Sequence, residues 1–198
     1  MTTLLYDGSF EGFLTAVFEV YGQCLADVRI RPAQSGATGL FGDSVSIAAD
    51  EVKSARVWKG LKDKISAEAA KRLYFNHLSE LEGKEDNMLQ YIRYIFAADT
   101  DVSEDYSHAA VLRVAKVAKM VSREKHRMEA FVRFQLGPDG TFHAAIESDF
   151  NVLPLIVKHF ESRYADQRWI IFDQRRNYGM YSRYGVVLNV VDRNTYCA

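Results

Sequence analysis

The sequence predicts an α+β protein in which a helical middle packs on a mainly antiparallel C-terminal sheet. Between about residues 9 and 127, apolar residues recur at intervals of three and four, which is the spacing of helices that bury one face. From about residue 128 onward the period shortens to two, and turn residues are closely spaced. We therefore expect a single α+β domain over residues 1–198, helix-rich at about 9–127 and sheet-rich at about 128–198.

The N-terminal elements are a short strand and a helix. Residues 4–6 are apolar and are followed by the turn pair Asp7-Gly8. Ser9 is placed to cap a helix over about 10–21. Residues 22–44 are expected to be irregular, because Gly36, Gly39 and Gly42 loosen the backbone there.

The middle of the chain predicts one short strand and then four helices. Val45-Ser46-Ile47 alternates like a strand, and Asp50 and Ser66 are placed as N-caps. Polar links separate the four helices, which cover about 51–64, 66–81, 85–98 and 104–127.

The last third predicts a sheet. Gly137-Pro138-Asp139-Gly140 indicates a turn between two strands of a hairpin. Pro154 suits the first turn of a helix that runs to about 165. Consecutive strands with short connections pair antiparallel, and the first strand of the chain is a candidate to join them. These further strands cover about 169–173, 178–182 and 186–191.

Composition restricts the class of protein. Hydrophobic residues make up 48% and charged residues 26%, as in ordinary folded domains. No apolar run reaches the ~20 residues of a membrane span, and the N-terminus lacks the basic start of a signal peptide. Cys24 and Cys197 are too few for a disulfide framework. We expect a cytoplasmic protein.

Charge is distributed unevenly along the chain. Residues 1–105 hold 11 Lys/Arg and 17 Asp/Glu, a net charge of −6, whereas residues 106–198 hold 14 and 9, a net charge of +5. This asymmetry indicates either an anionic partner for the second half or mutual neutralisation of the two halves.

The fourth helix carries the clearest patterned surface. Basic residues fall on one face at helical spacing, and Val111, Val114, Ala115, Ala118 and Val121 fall on the opposite face. A basic stripe suits phosphate contacts, although a solvated face that pairs with acidic neighbours gives the same pattern. The stripe consists of Arg113, Lys116, Lys119, Arg123 and Arg127.

The C-terminal region interleaves arginines with aromatic residues. Rings can stack on unpaired bases while guanidinium groups hold phosphates, but arginines at the rim of an aromatic core would look similar. The candidate nucleic-acid-binding residues are Arg113, Lys116, Lys119, Arg123, His126, Arg127, Arg133, His159, Arg163, Asp173, Arg175 and Arg176.

No complete catalytic, metal or cofactor motif occurs. The sequence has no phosphate loop, dinucleotide fingerprint, HExxH or CxxC, so no metal and no cofactor is expected. Asp173 follows an apolar strand and could act as a base, although such a residue more often holds a turn or pairs with an arginine. His126 and His159 lie among arginines and are the other acid/base candidates.

Several motifs in combination resemble a bacterial domain-of-unknown-function family whose members are described as DNA metabolism proteins. Tyr6-Asp7-Gly8-Ser9-Phe10-Glu11-Gly12 opens the chain, and Arg123-Glu124-Lys125-His126-Arg127-Met128 precedes the sheet. The other motifs are Ala55-Arg56-Val57-Trp58, His159-Phe160-Glu161-Ser162-Arg163-Tyr164 and Trp169-Ile170-Ile171-Phe172-Asp173-Gln174-Arg175-Arg176.

The resemblance implies a genomic setting and no reaction. Members of that family are encoded beside a radical SAM protein assigned to DNA modification or repair, and some carry a C-terminal uracil-DNA glycosylase-like domain. This chain ends soon after its last predicted strand, so we expect neither that domain nor its activity. Phe172 stands where relatives often have histidine.

Three hypotheses follow. The first is an accessory or DNA-binding module of a repair or modification system that acts with a radical SAM partner and does no chemistry. The second is an enzyme acting on nucleic acid or nucleotides, with Asp173, His126 and His159 as acid/base candidates. The third is a protein-interaction module whose basic half docks an acidic partner.

Overall fold

A computed structural model describes residues 2–33 and 44–190 of the chain. The chain divides into two units, Met1–Ala118 and Lys119–Ala198. The glycines predicted to loosen residues 36–42, and Cys197, lie outside the described residues. None of the described helices is long and apolar enough to cross a membrane.

The first unit contains a small parallel sheet. Its central strand β1 (Thr2–Tyr6) lies between β2 (Val28–Pro32) and β3 (Ser44–Ser46). The prediction that the first strand could join the C-terminal sheet is wrong, because strands occupy both edges of β1. The sequence reading also missed β2, whose apolar and basic residues alternate over only five positions before Pro32 ends it.

The first unit also contains four helices in the chain order that the sequence predicts, of which α1 and α4 pack on the sheet. They are α1 (Phe10–Gly22), α2 (Glu51–Lys64), α3 (Ala67–Leu78) and α4 (Lys84–Ala97). The predicted N-caps Ser9, Asp50 and Ser66 are confirmed, since each side chain accepts a hydrogen bond from a backbone N–H of its helix's first turn. Helix α3 ends before the predicted residue 81, because Glu80 takes a left-handed backbone conformation.

The core of the first unit joins its sheet to its helices. Leu4 and Ile30 from the strands are fully buried, as are Phe13 of α1, Leu61 of α2 and Ile92 of α4. Buried residues recur at every third or fourth position of α2 and at alternate positions of β1. The apolar periodicity of the sequence therefore explains which side chains form this core.

Helix α5 (Ala109–Phe131) is the longest element. It begins later than the predicted residue 104, because Asp101 and Asp105 accept backbone N–H bonds from Ser103 and Ser107 in turns before the helix. It also extends past the predicted end at 127, and Nη1 of Arg133 donates to the backbone carbonyl of Ala130 in its last turn.

The second unit contains a five-stranded mixed sheet in the order β4-β5-β6-β7-β8, consisting of β4 (Gln135–Leu136), β5 (Phe142–Ile146), β6 (Arg168–Asp173), β7 (Tyr178–Arg183) and β8 (Val186–Val190). Three of its four pairings are antiparallel, so the predicted α+β class with a mainly antiparallel C-terminal sheet is confirmed. The exception is β5 with β6, which are parallel because α6 (Leu153–Arg163) connects them.

The core of the second unit lies between its sheet and α6. Trp169 and Ile171 of β6 pack with Ile146 of β5 and with Ile156 and Phe160 of α6. Because β6 is the middle strand of five, five of its six residues are buried, and its last residue is Asp173. The core therefore fixes the position of a carboxyl group at the end of a buried strand.

Candidate functional site

Four of the five predicted members of the basic stripe of α5 have no partner among the residues that the structure describes, and the name is used below for these four. Arg113, Lys116, Lys119 and Arg123 are all exposed. Within residues 2–33 and 44–190, none of the four makes a hydrogen bond or an ion pair. Residues on the opposite side of the same helix are buried: Val111, Val114, Ala118 and Val121.

The charge on this face is uniform. Residues 109–123 contain four basic residues and no acidic residue. At a rise of about 1.5 Å per residue, the ten steps from Arg113 to Arg123 span about 15 Å. The stripe therefore presents one positive charge about every 5 Å along the helix, compared with one negative charge per about 3.4 Å of axis on each strand of duplex DNA.

Arg127, the fifth predicted member of the stripe, is engaged in ion pairs. Its Nη2 donates to Oε1 of the buried Glu124 at 2.7 Å and lies 3.4 Å from Oδ2 of Asp149. The backbone N–H of Asp149 donates to the same Glu124 oxygen at 3.1 Å. Arg127 therefore ties the end of α5 to the loop after β5 and is partly neutralised there.

Arginines 175 and 176 reach the same loop from the turn between β6 and β7. Nη1 of Arg175 lies 3.7 Å from Oδ1 of Asp149, and Nη2 of Arg176 donates to the Asp149 carbonyl at 3.2 Å. The fold therefore brings together three of the predicted arginines, with Asp149 bonded to each of them. We call Arg127, Arg175, Arg176 and Asp149 the arginine cluster.

Asp173 has a structural role in this arrangement. It is fully buried, and its Oδ1 accepts the backbone N–H groups of Arg175 at 3.0 Å and Arg176 at 3.2 Å. Its Oδ2 accepts a hydrogen bond from Nη1 of Arg176 at 2.9 Å, and the same Nη1 donates to the Ser148 carbonyl. Both oxygens of Asp173 are thus used to hold the β6–β7 turn and to orient Arg176.

The remaining predicted residues have separate local contacts. His126 is exposed, with Nδ1 3.4 Å from Oε2 of Glu129. His159, on α6, contacts the ring of Phe160 edge-on. Arg163 lies over the ring of Tyr164, and Arg133 donates to backbone carbonyls at the end of α5.

The acid/base candidates do not contact one another. In the part of the chain that the structure describes, no hydrogen bond, ion pair or ring contact joins any two of Asp173, His126 and His159. The same residues contain no group of three or more His, Cys, Asp or Glu side chains arranged to hold a metal ion.

The sequence reading missed a group of buried ionisable side chains in the first unit. The hydroxyl of Tyr6 donates to Oε1 of Glu85 at 2.9 Å, and both residues are buried. Nζ of Lys84 donates to the His77 carbonyl at 2.7 Å, and burial lowers the pKa of Lys84. The position of Glu85 in the sequence indicates this group, because the residue falls on the apolar face of α4 with Met88 and Ile92.

The family comparison covers the C-terminal part of the chain from the start of α4 onward. The model of a domain of unknown function, DUF4130, matches residues 82–195, which is more than half of the chain. Among curated proteins, none matches this sequence significantly. The chain therefore belongs to the DUF4130 family of domains of unknown function.

Proposed function

We propose that this protein is a nucleic-acid-binding accessory module of a DNA repair or modification system in the cytoplasm, and that the basic stripe of α5 binds the phosphate backbone. The observation that carries the proposal is the exposure of Arg113, Lys116, Lys119 and Arg123 without a hydrogen bond or ion pair to any described residue.

A nucleic acid binds unpaired lysine and arginine side chains more readily than side chains that already pair with a carboxylate. A lysine or arginine already bound to a carboxylate must give up or share that partner, whereas a solvated cation only exchanges its mobile anions and water. Binding then releases the counterions condensed on the nucleic acid, which is the main source of non-specific affinity. The four residues of the stripe meet this condition.

The arginine cluster contributes less under this proposal. Arg127 and Arg175 face the carboxylate of Asp149, and Arg176 is bound to the buried Asp173. These contacts neutralise much of the local charge and fix the side chains in position. The cluster is therefore assigned to holding the β5–α6 loop and the β6–β7 turn, with contacts to nucleic acid at its edge.

The partner is proposed on a different ground. The resemblance to proteins encoded beside a radical SAM protein supports joint action with such a partner, which would perform the chemistry while this chain supplies nucleic-acid affinity. The proposed division of roles predicts that this chain binds DNA on its own.

A pair of matched variants tests the assignment. One variant replaces Arg113, Lys116, Lys119 and Arg123 with Gln, and its control makes the same change in four exposed cations of α2 and α3, namely Arg56, Lys59, Lys62 and Lys71. Both variants lose four positive charges from exposed side chains, so the total charge of the two proteins is the same. Binding of fluorescein-labelled single- and double-stranded DNA is followed by fluorescence anisotropy at low salt.

The unaltered protein and the control are expected to bind DNA with micromolar affinity. The stripe variant is expected to bind about 100-fold more weakly, because it loses several phosphate contacts. Equal affinity of the two variants would overturn the assignment to α5. If the unaltered protein fails to bind DNA but co-purifies with the radical SAM protein through the stripe, the interaction-module hypothesis replaces this one.

A further inference from the structure

Helix α5 carries exposed apolar side chains beside its cations, and contact with phosphates alone does not explain them. Phe131, its last residue, is 67% exposed, and Met120 is 45% exposed. Both lie in the part of α5 that belongs to the second unit, together with Lys119, Arg123 and Arg127. One exposed apolar residue is ordinary, but apolar groups placed among cations mark a surface that makes two kinds of contact.

Helical spacing places four of these residues in one row. Arg123 lies three positions after Met120, Arg127 lies four positions after Arg123, and Phe131 lies four positions after Arg127. Residues three and four apart are neighbours on the surface of a helix. At a rise of about 1.5 Å per residue, the row is about 17 Å long. It therefore begins and ends with an apolar side chain and has two guanidinium groups between them.

The ring of Phe131 is accessible to a ligand. It is the one exposed phenylalanine in the described part of the chain, and it contacts no other ring and no cation there. Phe134, three residues later, instead packs edge-on against Phe160 and Trp169 in the core of the second unit. The fold thus buries one of two neighbouring phenylalanines and leaves the other in solvent at the end of the cationic helix.

An exposed ring beside cations favours single-stranded over double-stranded nucleic acid. In a duplex the faces of the bases are stacked on one another, whereas an unpaired base can stack on an aromatic side chain while its strand follows a positively charged surface. Arg123 has no partner among the described residues and lies about 12 Å along the helix from Phe131. A strand of a few nucleotides, at about 3.4 Å each, spans that distance.

We propose that α5 binds single-stranded nucleic acid in preference to duplex, with an unpaired base stacked on Phe131 and phosphates of the same strand bound by Arg123 and the rest of the basic stripe. The inference rests on the proposed function, because it adds a base contact to the phosphate contacts of the same helix. An amphipathic helix of an acidic protein fits less well. Such a helix needs a continuous apolar strip, and here two arginines separate Met120 from Phe131.

Fluorescence anisotropy with the full chain tests the preference. The probes are a fluorescein-labelled single strand of about 15 nucleotides and the duplex formed from the same strand. Phe131→Ala removes the ring, and Phe131→Trp keeps an aromatic face. Tyr184→Ala is the matched control, because it removes a ring that is 62% exposed on the β7–β8 turn, outside α5. Both positions are exposed, so the variants retain the fold.

The unaltered protein is expected to bind the single strand about tenfold more tightly than the duplex. Phe131→Ala is expected to lose this preference by weakening the binding of the single strand alone, whereas Phe131→Trp and Tyr184→Ala keep it. The salt dependence of single-strand binding is expected to be the same in Phe131→Ala as in the unaltered protein, because the ring carries no charge.

Two kinds of failure are distinguishable. Equal affinity of the unaltered protein for the two probes, an unchanged preference in Phe131→Ala, or the same loss in Tyr184→Ala would overturn this inference and leave the proposed function standing. Absence of binding to both probes would contradict the proposed function itself, and this inference with it.

Discussion

The hydroxyl of Tyr6 donates a hydrogen bond of 2.9 Å to Oε1 of Glu85 across 79 positions of sequence. This bond joins the carboxyl end of β1 to the first turn of α4, and both side chains are buried. Burial, with the adjacent Glu85 carboxyl as the next cause, raises the pKa of Tyr6 far above its ordinary value, so the hydroxyl stays a donor. The pair therefore connects the sheet of the first unit with α4.

Loss of the Tyr6 hydroxyl is expected to destabilise the first unit. In Tyr6→Phe the ring remains in the core, but the buried Glu85 loses its only hydrogen-bond donor among the described residues. We expect the free energy of unfolding in urea to fall by about 1.5–3 kcal/mol, the usual cost of losing a hydrogen bond to a charged group. Tyr21→Phe removes an exposed hydroxyl and is expected to change stability by less than about 0.5 kcal/mol. Equal stabilities of the two variants would show that the bond contributes nothing.

His77 makes stability depend on pH. Burial, aided by the charge of Lys84, lowers the pKa of His77 from 6.5 to about 3. As pH falls below 6.5, the unfolded chain binds a proton that the folded protein does not bind, so the stability present above 6.5 is lost progressively down to about pH 3. We expect a loss of about 1 kcal/mol per pH unit from this residue.

The variant His77→Gln separates this effect from the titration of carboxyl groups. Between pH 6.5 and 5 the difference in unfolding free energy between this variant and the unaltered protein is expected to shrink or change sign, because glutamine takes up no proton. His126→Gln, at an exposed position, is the matched control and is expected to change stability by less than about 0.5 kcal/mol. A His77→Gln protein with the same pH slope as the unaltered protein would contradict the buried neutral state of His77.

The Asp173–Arg176 pair is expected to be one of the most sensitive positions in the second unit. Asp173 is fully buried and the Arg176 side chain is 10% exposed. Asp173→Ala leaves the guanidinium without its carboxylate and removes the acceptor for two backbone N–H groups, so a loss of about 3–5 kcal/mol is expected in denaturant unfolding. Asp173→Asn retains an acceptor for those N–H groups and should cost less.

The exposed Asp166 supplies the control for this pair, since Asp166→Asn is expected to change stability by less than about 0.5 kcal/mol. A loss of stability in Asp173→Asn would support a structural role for this carboxylate over the hypothesis that it is a catalytic base. If Asp173→Asn retained full stability, the structural role assigned to the carboxylate would be wrong.

The helices and the C-terminal sheet could be predicted because their signals are local. Ser9, Asp50 and Ser66 cap their helices as expected, and the turn at residues 137–140 separates β4 from β5. Strand β2 was missed because five residues ending in proline give a weak pattern and because its parallel pairing with β1 depends on residues 26 positions away. Pairing between distant segments leaves little trace in the periodicity.

The candidate sites also include features that local sequence patterns predict and features that only tertiary packing creates. The stripe of α5 was predictable, because helical spacing alone puts Arg113 and Lys116 on one face with Lys119 and Arg123. Which arginines are neutralised was not predictable, since Asp149 meets Arg127 and Arg175 only in the fold. The buried pair of Tyr6 and Glu85 was missed for the same reason, because tertiary packing brings the two residues together.

The salt dependence of DNA binding tests the central claim most directly. Fluorescence anisotropy gives the association constant Kobs of the unaltered protein and of the Arg113, Lys116, Lys119 and Arg123 to Gln variant for one duplex over a series of salt concentrations. Four phosphate contacts of the stripe contribute about −3.6 to the slope of log Kobs against log salt, so the slope of the variant is expected to be shallower by about that amount. Identical slopes for the two proteins would contradict the assignment of the α5 stripe to the nucleic-acid backbone.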